Sequence, residues 1–300
     1  MIPLAVKYRP QTFEQVIGQD VTVKILQKQI TDKNYSHSIL FTGNAGCGKT
    51  TCARILANQI NGEIHEIDCA SHNGVADIKD IINEAKIKSL VKDYKVYILD
   101  ECHTLSSAAW PALLITLENN LPYAIFILCT TDAQKIPNTI ISRVQRFNFL
   151  PISDDLIKEQ LREISSKENI TISEDAIDVI ARSAKGSLRQ ALTNFDECIM
   201  YGDLTKENTE KVLHIVDLDL FGKLTNAITS KDVQTIIDLV NAVYNNGYEL
   251  HQFVKQYLDY AVEAKNVNLM ELLVNIIPEI RYDETPKSII ISRFLTYTPD

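Results

Sequence analysis

One eight-residue segment restricts the possible folds of this chain of 300 residues more than any other. Residues 43–50 read Gly-Asn-Ala-Gly-Cys-Gly-Lys-Thr, which fits the pattern G-x-x-x-x-G-K-[ST]. The apolar run 38–42 precedes the segment, and a helical pattern over 49–60 follows it. A strand that leads through a glycine-rich turn into a helix directs backbone N–H groups at phosphate oxygens. The segment therefore predicts a nucleotide site on an α/β fold, in preference to a chance match in a turn.

The residues of this loop have separate expected roles in that site. We expect Lys49 to reach the β- and γ-phosphates, and the hydroxyl of Thr50 to bind Mg²⁺. The backbone of the loop is expected to surround the phosphates. The candidate nucleotide-binding residues of the loop are Asn44, Ala45, Gly46, Cys47, Gly48, Lys49, Thr50 and Thr51.

A second apolar run, 96–99, ends in two acids, Asp100 and Glu101. A buried strand at this place brings Asp100 to the metal side of the phosphates, as a second magnesium ligand beside Thr50. Glu101 is then placed to orient and polarise a water molecule, which favours hydrolysis over transfer to a small acceptor. The alternative is a strand that merely ends in two solvated acids. The strand and helix between Lys49 and Asp100 make that alternative the weaker one.

The pattern of apolar residues changes along the chain and divides it into three predicted domains. Residues 1–150 alternate strand runs with helical periods, which is typical of a parallel sheet wrapped by helices. Residues 151–204 contain three short helical patterns, two of them preceded by the capping serines Ser153 and Ser173. Residues 205–300 are helical throughout. We predict an α/β nucleotide-binding domain, a small three-helix lid and an all-helical third domain.

Composition excludes several classes of protein. Hydrophobic residues make up 45% and charged residues 23%, as in an ordinary globular chain, and no apolar run is long enough to cross a membrane. The formal net charge of −9 argues against a protein that coats nucleic acid through bulk charge. The six cysteines form no C-x-x-C pair, and the N-terminus lacks a secretory signal, so we expect free thiols in a cytoplasmic protein.

Further motifs follow in an order that is more informative than any one of them. Thr130-Thr131 ends the next predicted strand, Ser142-Arg143 comes after it, and Gly186-Ser187-Leu188-Arg189 begins a predicted helix. With these motifs the chain closely resembles the motor subunit of bacterial DNA polymerase III clamp loaders, the gamma/tau type of AAA+ ATPase. The other segments that carry the resemblance are 7–13, 17–19, the phosphate loop, 67–71, 73–75, 94–103, 112–118, 140–143 and 186–192.

The resemblance implies a role for each matching position. Thr131 would be a first sensor of the γ-phosphate, and Arg189, from the lid, a second. Arg143 would act in trans as an arginine finger on ATP held by a neighbouring subunit, so that the catalytic site is composite. Four residues near the N-terminus would flank the adenine: Arg9, Pro10, Val16 and Ile17.

The resemblance also implies contact with primer–template DNA along an inner surface of a ring. The matching positions there are His72, Lys79, Lys135 and Thr139. Contacts to phosphates follow the shape of DNA without reading bases, which suits a protein that must act at any primer junction. An acidic chain is compatible with this if its DNA-facing groups are confined to one face.

The chain departs from the family pattern at several positions. The family usually carries a four-cysteine zinc hairpin between the first helix and the second strand, which residues 57–63 here connect directly. We therefore expect ATP and Mg²⁺ as cofactors, and no zinc. Ile115 replaces a DNA-facing Lys, and Val144 replaces a Cys. The end at Asp300 leaves no room for the long C-terminal extension. These differences suggest a compact version of the subunit. They leave both a phage origin and a cellular origin open.

The function that the resemblance implies is that of an ATPase subunit that opens a sliding clamp and loads it on primer–template DNA. Its expected partners are the clamp, the DNA and other loader subunits in a pentameric ring. The alternative is another AAA+ DNA-remodelling ATPase of the fork or branch-migration type, although a helical third domain disfavours branch migration. A non-catalytic ring subunit is less favoured because Lys49 and Glu101 are both present.

Overall fold

The computed structural model describes residues 2–119 and 121–297 of the chain. The chain divides into two compact units, one ending at Leu204 and the other beginning at Thr205. The second unit begins where the sequence predicts the third domain. The predicted boundary between 150 and 151 falls inside the first unit, and the division into three domains stays a prediction.

Five strands form one parallel sheet in the first unit: β1 Ser38–Thr42, β2 Gly62–Asp68, β3 Tyr94–Asp100, β4 Ala124–Thr130 and β5 Gln145–Asn148. Their order in the sheet is β2-β3-β4-β1-β5. Every residue of β1 and β4 is buried, because both faces of the central strands are covered, and such strands read as continuous apolar runs. The carboxyl ends of β1, β3 and β4 therefore lie side by side at one edge of the sheet.

Nine helices of the described part belong to the first unit: α1 Leu4–Lys7, α2 Asp20–Thr31, α3 Lys49–Gln59, α4 Val75–Ala85, α5 Trp110–Glu118, α6 Asn138–Ile141, α7 Asp154–Glu168, α8 Glu174–Ser183 and α9 Leu188–Tyr201. The helical patterns over 49–60 and 75–88 predict α3 and α4, and the strand patterns over 38–42, 63–68, 96–99 and 125–129 predict β1 to β4, all within a few residues. The polar edge strand β5 and helix α2 are not predicted.

Helix α5 begins later than its sequence suggests. Ser106 or Ser107 is the expected N-cap, but the N-cap residue is Ala109, which makes no side-chain capping hydrogen bond. Pro111 lies in the first helical turn, as expected, because a proline there removes only an N–H that has no partner in the helix. The Ala109 N–H instead donates to the Ser106 carbonyl, so residues 106–109 form a turn before the helix.

The lid is the group of three helices α7, α8 and α9 that follows the sheet. The hydroxyls of Ser173 and Ser187 accept hydrogen bonds from Ala176 N and Gln190 N and cap α8 and α9. Helix α9 ends before Gly202, whose φ of +134° a residue with a side chain rarely adopts. The three-helix lid is thus present as predicted.

The second unit is built from helices over its described residues: α10 Lys206–Val212, α11 Leu218–Ser230, α12 Val233–Asn245, α13 Leu250–Glu263, α14 Val267–Ile280 and α15 Pro286–Thr296. Its core contains a stack of aromatic rings, with Phe221 and Tyr257 parallel at 5.0 Å between centroids. Apolar residues at helical spacing, such as Ile236, Val240 and Val243 of α12, bury one face of the helix. The all-helical third region is confirmed.

Two further sequence expectations can be compared with the structure. All six cysteines are buried, and none of them is in a disulfide. Among the described residues, no helix is long and apolar enough to cross a membrane.

Candidate functional site

The loop between β1 and α3 is the centre of the candidate site. Gly43 and Gly46 have φ values of +145° and +73°, so they adopt backbone conformations that other residues avoid. The buried Lys49 turns its ammonium group back into the loop, where Nζ donates to the carbonyls of Gly43 and Asn44, each at 2.8 Å. The Sγ of Cys47 also donates to the Asn44 carbonyl, and burial raises the pKa of this thiol. The loop is therefore held in one shape by its own side chains.

The lid touches this loop directly. A Cβ atom added to Gly46 would lie 2.0 Å from the Ser187 hydroxyl and 3.1 Å from Cβ of Arg189. Ser187 is the N-cap of α9, so the N-terminal end of the last lid helix faces the phosphate loop. A glycine at 46 is required both by the backbone conformation and by this close approach.

The acids at the end of β3 lie next to the start of α3. Thr50 Oγ1 donates to Asp100 Oδ2 at 2.8 Å, and the Glu101 N–H donates to Asp100 Oδ1 at 3.0 Å. A hydroxyl oxygen beside a carboxylate is a donor set that suits Mg²⁺, which takes few protein ligands and completes its shell with phosphate oxygens and water. The residues present therefore fit the predicted magnesium site.

Glu101 bends away from β3 toward the end of β4. Its φ of +47° is in the left-handed region, and its carboxylate oxygen Oε2 accepts hydrogen bonds from Thr131 Oγ1 at 2.8 Å and Thr131 N at 3.3 Å. Nδ1 of His103 lies 3.3 Å from the same oxygen. The proposed water-activating acid and the proposed γ-phosphate sensor are thus in direct contact.

A single pocket brings together most of the predicted nucleotide-binding and catalytic residues. The predicted residues that line it are Arg9, Pro10, Val16, Ile17, Ala45, Gly46, Cys47, Gly48, Lys49, Thr50, Thr51, Asp100, Glu101 and Arg189. Asn44 and Thr131 are not among the lining residues but contact Lys49 and Glu101, which are. The roles assigned to these residues stay predictions.

Sequence reasoning missed several residues of the pocket wall. Ala5, Tyr8, Ile152, Leu188 and Leu192 also line it. Tyr8, Leu188 and Leu192 lie within motifs that carry the resemblance, so the sequence held a signal for them. Ala5 and Ile152 come from the N-terminal helix and the strand-to-lid connection, which meet the other residues of the pocket only in the folded chain.

The N-terminal arm, residues 3–19, forms part of the pocket wall. Buried Gln19 holds the end of this arm in place, because its amide donates to the carbonyls of Leu150 at 2.7 Å and Cys47 at 3.3 Å. Burial, with the positive charges of Arg54 and Arg189, lowers the pKa of Arg9. Arg9 is therefore a partly desolvated cation close to a second arginine, an arrangement that an anion would stabilise.

Arg143 is not part of this pocket. Its guanidinium forms an ion pair with Glu118 and donates to the Thr139 carbonyl at 2.8 Å, and its side chain is 38% exposed. The four predicted DNA-contacting residues are also exposed: His72, Lys79, Lys135 and Thr139. Lys135 lies 3.3 Å from Asp132. Among the residues the structure describes, no group of three or more His, Cys, Asp or Glu is placed to hold a metal, and the prediction about zinc stays a prediction.

Two family models match parts of this chain. Residues 68–153 match the model described as DNA polymerase III, delta subunit. Residues 156–204 match the model described as DNA polymerase III clamp loader subunit, ATPase lid domain. The second match begins and ends close to the lid helices.

Curated proteins of known name are similar over most of the chain. Bacillus subtilis DNA polymerase III subunit tau is 34% identical, over 93% of this chain and 54% of its own length. Mycoplasma genitalium subunit gamma/tau is 35% identical over 88% and 50%, and Escherichia coli subunit tau is 31% identical over 99% and 53%. The chain thus spans about half of the length of these relatives.

Solved structures of Thermotoga maritima RuvB, titled a Holliday junction branch migration motor, share the fold. One of them aligns with a TM-score of 0.59 at 20% sequence identity, over 86% of this chain and 91% of that one. At this identity the likeness shows a common AAA+ fold and no more. The fold class predicted from sequence is confirmed.

Proposed function

Because the chain belongs to the DNA polymerase III gamma/tau family of AAA+ proteins, we propose that it is an ATPase subunit of a sliding-clamp loader. The observation that carries the proposal is the pocket in which the phosphate loop, the Asp100–Glu101 pair and the lid residue Arg189 meet. In this role, ATP binding favours an assembly that opens a ring-shaped clamp around primer–template DNA, and hydrolysis releases both. The bacterial relatives support the expectation of a cytoplasmic protein.

The loop residues are suited to binding the triphosphate. The ammonium group of Lys49 donates hydrogen bonds to two loop carbonyls, each at 2.8 Å. A bound phosphate would replace these neutral acceptors with charged oxygens, which accept stronger hydrogen bonds. The N-terminal end of α3 adds positive potential at the same place. The N-terminal arm, with Arg9, Pro10, Val16 and Ile17, would enclose the base.

Thr50 and Asp100 would hold Mg²⁺, which when bound neutralises charge on the phosphates. Glu101 would orient a water molecule and take its proton. Thr131, in contact with Glu101, would detect the γ-phosphate, and Arg189 would bring the lid onto the nucleotide. Release of Glu101 from Thr131 would then accompany arrival of the γ-phosphate.

Arg143 would complete the site of a neighbouring subunit. Its ion pair with the exposed Glu118 is a surface pair, and such pairs contribute about 0–1 kcal/mol, so its guanidinium can be redirected at low cost. In a ring assembly each subunit would offer its pocket to one neighbour and its Arg143 to the other. A pentamer with clamp, DNA and other loader subunits is the assembly we expect.

The proposal is tested by measuring ATP hydrolysis and clamp loading together. With the cognate clamp and primed DNA, the assembled subunit should hydrolyse ATP faster than with either alone and should leave clamps topologically linked to circular DNA. ATP hydrolysis without clamp loading, in an assembly of six subunits, would instead support a fork-remodelling or branch-migration motor. The all-helical described part of 205–297 favours the loader.

A further inference from the structure

His103 lies beside the proposed catalytic acid but outside the pocket. It belongs to a short 3-10 turn, Cys102–Thr104, that follows β3, and its side chain is 17% exposed. Its Nδ1 is 3.1 Å from Thr130 Oγ1 and 3.3 Å from Glu101 Oε2. His103 is not one of the described residues that line the pocket. It therefore contacts the acid without lining the pocket.

The chemistry of these contacts defines which ring nitrogen carries the proton. An ionised carboxylate only accepts hydrogen bonds, so an unprotonated Nδ1 at 3.3 Å would place two lone pairs against each other. A proton on Nδ1 removes this repulsion and attracts the carboxylate oxygen Oε2. Thr130 Oγ1, already an acceptor for the Asp132 N–H, can share that proton with its second lone pair.

All of the hydrogen-bond donors near the Glu101 carboxylate approach one oxygen. Oε2 accepts hydrogen bonds from Thr131 Oγ1 and Thr131 N and lies 3.3 Å from Nδ1 of His103, whereas within residues 2–119 and 121–297 Oε1 accepts no hydrogen bond. The backbone of Glu101 is also held, since Thr104 donates to its carbonyl through both N and Oγ1. What is left to be controlled is the conformation of the Glu101 side chain.

We infer that His103 is a positioning residue for Glu101, and the inference rests on the ATP hydrolysis proposed above. Nδ1–H of His103 holds Oε2 at the end of β4 and leaves Oε1 as the oxygen that accepts a proton from water. When the hydroxyl of Thr131 turns to the γ-phosphate, His103 remains as the side-chain donor on Oε2. The carboxylate then keeps its orientation at the moment when the base is needed.

Three substitutions at one position test this role. In His103→Asn the amide nitrogen lies at about the position of Nδ1. In His103→Gln the amide nitrogen lies at about the position of Nε2. His103→Ala has no nitrogen at either position. We expect Ala and Gln to lower kcat by about 10- to 100-fold, the cost of a catalytic group misplaced by about 1 Å, and Asn to restore most of it. KM for ATP should change less than about twofold, because His103 does not touch the nucleotide.

A general loss of structure would lower activity in all three variants and would not separate Asn from Gln. Melting temperatures and binding of a fluorescent ATP analogue identify such a loss. Wild-type kcat in His103→Ala or His103→Gln would overturn the inference. Equal losses in Asn and Gln would also overturn it, since the inference depends on the Nδ1 position.

A second measurement does not need ATP hydrolysis. Nitrogen-15 spectra of the unsubstituted protein, recorded at an alkaline pH at which the ring carries a single proton, should show that proton on Nδ1 of His103 and not on Nε2. The resonances are assigned by their disappearance in His103→Asn. An Nε2–H tautomer would overturn the inference. If the unsubstituted assembly does not hydrolyse ATP, the proposed function fails, and the tautomer still decides whether His103 donates to Glu101.

Discussion

The pocket around Lys49 and the surface around Arg143 differ in how completely one chain builds them. Lys49 is 6% exposed and hydrogen-bonded within its loop, and the lid approaches that loop at Gly46. Arg143 is exposed at the sheet edge and pairs with an equally exposed acid. The first region is prepared for a ligand before any partner arrives. The surface around Arg143 presents a cation that does not line the pocket of its own chain. This is what we expect of a group that acts on a neighbouring subunit.

The largest expected effect comes from the exposed region. Arg143→Ala should lower ATP hydrolysis by the assembled protein by about 10³-fold or more, as the loss of an arginine finger does. Binding of ATP to the subunit should be unchanged, because Arg143 lies outside the pocket. The matched control is Arg146→Ala, which removes another exposed arginine, from β5. Full activity of Arg143→Ala would remove the distinction between the two regions.

Glu101→Gln tests the prepared region. We expect kcat to fall by about 10²- to 10⁴-fold, the usual contribution of a general base, with ATP still bound. The amide keeps the shape of the side chain and can still accept a hydrogen bond from Thr131. Asp155→Asn is a control for the removal of a carboxylate, since its side chain is 92% exposed. Loss of nucleotide binding in Glu101→Gln would show that the acid holds the nucleotide and does not activate water.

The contact between loop and lid gives the next effect, on stability. Gly46→Ala strains a backbone at φ +73° and also brings a Cβ atom against Ser187, so we expect a loss of more than about 1–3 kcal/mol in the free energy of unfolding. Gly247→Ala is the matched control, because its φ is +81° with nothing within 4 Å of the added Cβ. Denaturant unfolding of both variants separates strain from contact. Equal losses would contradict a close loop–lid approach.

The smallest effect concerns the ion pair that ties the N-terminal arm to the lid. Hydrogen bonds from Lys7 and then Tyr8 lower the pKa of Glu168 below its ordinary 4.5. Since the folded-state pKa is the lower one, the stabilisation is present above pH 4.5 and is lost as the pH falls through the folded value. Glu168→Gln should therefore melt slightly lower at neutral pH and equally at about pH 3. If the melting temperatures of the two proteins differed equally at both pH values, this ion pair would not be the cause of the difference.

The parts of the fold that are visible in the sequence are those with a strong period. The central strands read as apolar runs because both of their faces are buried. The edge strand β5, Gln145–Asn148, buries only Phe147, so it carries no such run and was missed. Helix α5 has a proline near its start, which marks the first turn, but its capping serine does not cap.

The site divides in the same way. The residues predicted to bind phosphate occupy one continuous motif, and all of them except Asn44 line the pocket. The approach of Ser187 to Gly46 and the contact of His103 with Glu101 join segments that no local pattern connects. Gln19 was recognised only as part of a motif, and its hydrogen bonds to Leu150 and Cys47 appear only in the folded chain.

The composite character of the site can be tested by mixing two inactive proteins. Arg143→Ala keeps its pocket and Glu101→Gln keeps its arginine, so each supplies what the other lacks. For random 1:1 mixing in a closed ring of this chain, about a quarter of the interfaces join an intact pocket to an intact arginine, and we predict about that fraction of the unsubstituted ATPase rate. A rate no greater than the average of the two variants measured alone would contradict an Arg143 that acts on a neighbouring subunit.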